Sequence, residues 1–170
     1  GSPPPSYYYS SMPTYFLVTF LGALALTAPK SSHVRVFKND RALHLLDGKG
    51  KLLKAYRISL GDEPRGPKVC QGDERTPEGE YRLAWVNEKS AYHRSVFIDY
   101  PREKDRVAAK KAGCAPGGDI FLHGLPNGTA WAGKLHQLGD WTDGCIAVTN
   151  DEIDEIISRL KLPARLEVLP

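Results

Sequence analysis

The sequence predicts a mostly β, single-domain protein with two short helices. Three observations carry that prediction. Short apolar runs, several alternating with charged residues, recur from residue 33 onward, as half-buried strands require. A glycine-rich turn, Asp47-Gly48-Lys49-Gly50, separates two of these runs. Only two stretches carry helix start and stop signals. At 170 residues the chain is long enough to bury one real core. Its composition, 41% hydrophobic and 25% charged, is that of an ordinary globular domain. A net charge of +3 with no basic stripe argues against a nucleic-acid partner.

Residues 1–11, with three prolines and three tyrosines, read as a tag remnant or linker, and Met12 reads as the natural start. Residues 16–28 form an apolar run too short to span a bilayer comfortably, so residues 12–32 read as a signal-like hydrophobic segment. No Lys or Arg precedes the run and no lipobox cysteine follows it. A strand or helix packed on the domain is the other reading.

The domain proper is predicted over residues 33–170. Val34 and Val36 alternate with charged residues in a first strand. Ala42–Leu46 and residues 51–60 flank the turn as a hairpin. Residues 61–79, rich in Gly, Pro and charge, read as a long ordered loop. Residues 80–86 and 96–100 are further strands. A proline near its start, internal alanines and Gly113 at its end predict a helix over 101–111. Residues 119–123 and 145–149 are two apolar runs. Thr149 and Glu152 form a capping box for a second helix, whose Ile153, Ile156, Ile157 and Leu160 recur at helical spacing. Residues 166–169 give a last short strand.

The chemistry lies at the ends of those two runs. One ends in Ile120-Phe121-Leu122-His123-Gly124; the other opens with Thr142-Asp143-Gly144-Cys145-Ile146, its cysteine 22 residues after the histidine. A thiol and an imidazole on neighbouring strands suit acyl transfer through a thioester. His123 is the candidate base and Cys145 the candidate nucleophile, held as thiolate by the imidazolium. A carbonyl at or after Gly124 is expected to fix the ring tautomer. Gly144, lacking a Cβ, lets a carbonyl substrate approach, and the Gly144 and Cys145 N–H groups are candidate oxyanion donors. Taken singly, a strand cysteine is a small buried hydrophobe and a His-Gly is a turn; the pairing gives them weight. Cys70 and Cys114 form a disulfide or remain two separate thiols. No Cys-x-x-Cys pair exists, so no structural zinc is expected.

These residues resemble the L,D-transpeptidase catalytic domain, the YkuD family. That family joins a strand-borne His-Gly to a Ser-His-Gly-Cys-(Ile/Val)-Arg signature. The segment from Gly72 to Tyr81, Gly-Asp-Glu-Arg-Thr-Pro-Glu-Gly-Glu-Tyr, is similar to a second family segment, and Ser59-Leu60-Gly61 and Pro116-Gly117-Gly118-Asp119-Ile120 match as well. The resemblance covers residues 33–169 and implies a β-sandwich-like fold. It implies action on peptidoglycan stem tetrapeptides in the bacterial periplasm or cell envelope, without metal or organic cofactor. Cys145 would form a thioester at residue three of the stem and release D-alanine. The acyl acceptor would be an amine on another stem, a D-amino acid or an anchored protein. Transfer to water would make the protein a carboxypeptidase or endopeptidase, and a degenerate site would leave a peptidoglycan-binding module. A monomer is expected.

Two positions depart from the family signature. Asp143 stands where the family has His, and Ala147 where it has Arg. A carboxylate at Asp143 would orient a nearby donor or bind the incoming amine, and would disfavour a thiolate unless it keeps His123 protonated. The absent Arg removes a carboxylate contact, for which Arg75, Arg94 or Lys68 are replacements. Thr142, Asp143, His136, Trp141, Arg75 and Tyr92 are the substrate-binding candidates; for His136 a solvent-exposed loop position is the competing reading. Asp73, Arg75 and Thr76 read as a network bracing the sheet.

Overall fold

A computed structural model describes Gly1 and residues 29–170. The linker and most of the signal-like segment lie outside these residues. Among the described residues eight strands form one sheet: β1 (Ser31–Phe37), β2 (Ala42–Leu46), β3 (Leu52–Arg57), β4 (Gly79–Ser90), β5 (His93–Ile98), β6 (Phe121–His123), β7 (Ile146–Ala147) and β8 (Leu160–Leu169). Their order is β3-β2-β1-β8-β4-β5-β6-β7. The sheet is mostly β as expected, and it is a single curled sheet. Two bridges, Ser59 to Ala147 and Gly61 to Thr142, tie the chain after β3 back to β7 and to the segment before it. The two ends of the sheet order therefore meet.

Alternation decides which residues face inward. Val34 and Val36, Leu43 and Leu45, Tyr81 and Leu83, Val96 and Ile98, and Leu166 and Val168 are all buried in one core. Helix α2 (Asn150–Arg159) adds Ile153 and Ile156 to it and packs against β5 and β6. Its start is the predicted capping box: the Glu152 N–H donates to Thr149 Oγ1 and the Thr149 N–H to Glu152 Oε2. Helix α1 (Glu103–Ala112) ends on Gly113 in the left-handed region. Its Asp105 is buried, accepting from the Arg102 N–H and from the Tyr81 hydroxyl.

Two elements differ most from the expectation, and β4 also runs past its expected end to Ser90. The last strand is ten residues long and starts where α2 stops. It runs parallel to β1 and antiparallel to β4, so it is central. Pro163 marks its first half as a poor strand. The strand tolerates it because pairing with β1 slips there, between Ser31–Leu160 and His33–Arg165. A third helical segment, of 3-10 type, covers Ala130–Leu138 and is broken at Gly133. The sequence reads as loop there, since it has no cap signal and 3-10 turns need none.

The loop over 61–79 is ordered by buried polar groups. Lys38, 1% exposed, donates to the Gly66 carbonyl at 2.6 Å, the Thr76 carbonyl at 2.9 Å and Glu78 at 2.8 Å. The Asp73 carboxylate accepts from Lys68 and from the backbone N–H groups of Val69, Cys70 and Arg75. These donors hold its pKa below the usual carboxylate value, against the effect of burial. Cys70 and Cys114 are disulfide-bonded, which settles the open alternative. Lys38→Ala is expected to lower stability by about 3 kcal/mol, because it strands Glu78 and two carbonyls. An unfolding free energy within about 0.5 kcal/mol of wild type, from a denaturant curve of about the same slope, would contradict this account.

Candidate active site

His123 ends β6 and Cys145 immediately precedes β7, and these two strands pair in parallel. Both side chains line one cleft of about 800 Å³. Lys68, Glu74, Asn87, Tyr92, Ser95, Asp119, Phe121, Trp141 and Asp143 also line it. The imidazole is 3% exposed. Its Nδ1 lies 2.6 Å from the Gly124 carbonyl. A carbonyl only accepts, so Nδ1 carries the proton and Nε2 holds the free lone pair. Tyr92 packs on the ring at 4.5 Å between centroids and Trp141 meets it edge-on at 5.9 Å.

Cys145 is the free thiol. Among the described residues Sγ has two hydrogen-bond partners: it accepts from the Phe121 N–H at 3.4 Å and donates to the Asp119 carbonyl at 3.6 Å. The imidazole is neither of them. Burial, then the carboxylates of Asp143 and Asp119, push the thiol pKa up, against the Phe121 N–H. Burial pushes His123 down to about 4, despite the Gly124 carbonyl. The resting pair is therefore neutral thiol and neutral imidazole, not the ion pair expected from the sequence. Asp119 itself has φ +56, an uncommon conformation that aims its carbonyl at sulfur.

Gly144 serves a different purpose from the one expected. Its φ is +122, and a Cβ there would sit 2.5 Å from the Arg75 carbonyl oxygen, facing the 72–81 segment instead of the substrate. Its N–H donates to Thr142 Oγ1 at 3.2 Å, which removes it as a free oxyanion donor. Among the described residues the Cys145 N–H has no acceptor, and it remains the candidate. The Thr142 hydroxyl donates to the Cys145 carbonyl at 2.8 Å, so it positions the nucleophile loop and has no free donor for substrate.

The other candidates divide. Tyr92, Trp141 and the exposed Asp143 line the cleft. His136 does not, and it is not exposed either. Its Nδ1 accepts from Trp141 Nε1 at 3.3 Å, so it supports the tryptophan from behind. Burial pushes its pKa down, which keeps Nδ1 available as an acceptor. The Arg75 side chain is also absent from the cleft wall, and its Nε is buried without a partner among the described residues. Arg94 is engaged by Glu88 and Asp154. Of the three replacement cations only Lys68 reaches the cleft, already paired with Asp73 at 2.8 Å. Sequence reasoning missed Phe121 and Asp119 as the contacts of sulfur. The Gly117-Gly118-Asp119 turn was the available signal.

The chain matches the L,D-transpeptidase catalytic domain family (YkuD) over residues 31–168. It is 29% identical over 163 residues to "Putative L,D-transpeptidase YafK" of Escherichia coli K12, covering 85% of this chain and 58% of the relative. The chain thus spans little more than half the length of that curated relative. Among solved structures it is similar to a variant of the helical cell shape determining protein Pgp2 from Campylobacter jejuni. The TM-score is 0.61 at 23% identity, covering 82% of this chain and 47% of that one. It is also similar to Bd1075 of Bdellovibrio bacteriovorus, with a TM-score of 0.58 at 22% identity over 84% and 49% of the two chains. At these identities the structures speak for the fold alone.

Two measurements check the site. Alkylation of Cys145 by iodoacetamide is expected to rise with pH beyond the ordinary thiol range, with no plateau near neutrality. A plateau at neutral pH would show an ion pair instead. Gly144→Ala is expected to cost about 2 kcal/mol of stability through overlap and positive φ. Wild-type thermal stability in that variant would remove the steric argument.

Proposed function

The chain belongs to the YkuD family of L,D-transpeptidase catalytic domains, and on that premise we propose that it cleaves peptidoglycan stem tetrapeptides through a Cys145 thioester. The observation that carries this reading is a free thiol and a tautomer-fixed, neutral imidazole on adjacent parallel strands in one cleft. His123 Nε2 takes the Sγ proton as sulfur attacks the carbonyl of stem residue three. The Cys145 N–H meets the developing oxyanion. The C–N bond then breaks, and Nε2–H returns the proton to the leaving amine, which departs as D-alanine. A neutral resting pair needs no standing charge in the buried site; charge develops only as the proton moves.

The acceptor follows from the rim. Glu74, Asp119 and Asp143 line the cleft, while its Lys68 is already paired. An anionic rim attracts an ammonium group, which favours an amine acceptor: another stem, a D-amino acid or an anchored protein. Hydrolysis is the alternative, since Ala147 offers no guanidinium for a substrate carboxylate. The Cys70–Cys114 disulfide supports a place in an oxidising compartment such as the periplasm or envelope.

Mass spectrometry of a muropeptide tetrapeptide, with and without excess D-methionine, tests the proposal against Cys145→Ala. The expected result is a D-methionine-exchanged product that vanishes in the variant. A tripeptide without exchange would make the protein a hydrolase. Full turnover by Cys145→Ala, or no turnover by either protein, would sink the thioester reading.

A further inference from the structure

The sheet face that carries His123 also carries an aromatic row that the proposed chemistry does not use. Ser95 pairs with His123 and Phe97 with Phe121, so strand alternation puts all four on one face. In β4 the register slips between Leu83 and Val86, and this bulge brings Trp85 to the same face. Trp85 stacks on Phe97 at 5.3 Å and 18°, and meets Phe121 edge-on at 6.2 Å. Phe97 and Phe121 are 5.4 Å apart. Phe121 lines the cleft and its N–H donates to Cys145 Sγ. The three rings thus form one compact cluster, with Phe121 beside the nucleophile and Trp85 on β4 only 6.2 Å from Phe121 between ring centroids.

Its outer end is open. Trp85 is 50% exposed, and the core lies on the opposite face, under Leu83, Val96, Ile98 and Leu122. Core packing therefore does not account for an indole at this position. A half-exposed flat aromatic surface, continuous with a polar cleft, suits a ligand with one apolar C–H face and polar edges. A pyranose ring is such a ligand, and Asn87 and Ser95 stand at the inner border of the row. With the stem peptide in the cleft, the sugar that bears it is the pyranose carried to this border, where Phe121 joins the cleft to the exposed Trp85.

We propose that Trp85, Phe97 and Phe121 form a saccharide subsite for the pyranose ring to which the stem peptide is attached. The subsite rests on the stem-peptide reading above. Its test uses the Cys145→Ala protein, which binds without turnover, and two probes: a disaccharide-tetrapeptide and the same tetrapeptide without sugars. Calorimetry is expected to show about tenfold tighter binding of the sugar-bearing probe. Adding Trp85→Ala should bring its affinity down to that of the sugar-free one. With Trp85 in place, its indole N–H resonance should shift with the first probe only, a readout that does not depend on the variant folding. Equal affinities, or a sugar advantage that survives Trp85→Ala, would overturn the subsite and leave the stem reading standing. Binding of neither probe would bring down both.

Discussion

Two backbone segments approach each other more closely than any side chain permits, and the site depends on that approach. A Cβ on Gly61 would collide with the Glu74 carbonyl, and one on Gly144 with the Arg75 carbonyl. The nucleophile loop therefore rests directly on the 72–81 segment. That segment is itself held by Asp73, by buried Lys38 and by the Gly61 N–H on Thr76 Oγ1. Its polar groups are spent on backbone, which makes it a rigid floor rather than a reactive wall. Thr142 completes the loop from above by satisfying both the Gly144 N–H and the Cys145 carbonyl. The thiol is placed by backbone geometry before any substrate arrives.

On that floor the site separates structure from charge. Lys38 is buried and Asp73 half-buried, and both are partnered, so their charges fix position. Cys145 and His123 are left without a charged partner, and burial keeps both neutral. Tyr92 and Trp141 hold the ring by contact, and His136 holds Trp141. The base is thus oriented by one carbonyl and two aromatic faces.

Much of this was legible in the sequence. Alternating valines and leucines, the Asp47–Gly50 turn and the Thr149–Glu152 box are local signals, and local geometry follows from them. The His123 and Cys145 frames gave both side chains of the cleft, and Gly124 gave the ring its partner. What was hidden depends on packing from elsewhere. Gly144 reads as an opening for substrate until Arg75 is seen behind it. His136 reads as an exposed loop residue until Trp141 reaches back to it. Pro163 disguises a central strand because the slip that accommodates it appears only in the pairing with β1. Thiol ionisation is set by burial, which residue order does not state.

The curled sheet also has an order of assembly. Hairpins such as β2–β3 and β4–β5 join near neighbours in the chain, whereas Ser59 meets Ala147 and Asp62 meets Thr142 only across most of the domain. Loop-closure entropy makes such distant pairings late. Cys145 lies between the two junctions, so a long-range seam of the fold is also the place where the nucleophile is set. A chain arrested before closure would hold a sulfur without its aligned base. Reactivity in this sense belongs to the closed sheet and to none of its hairpins alone.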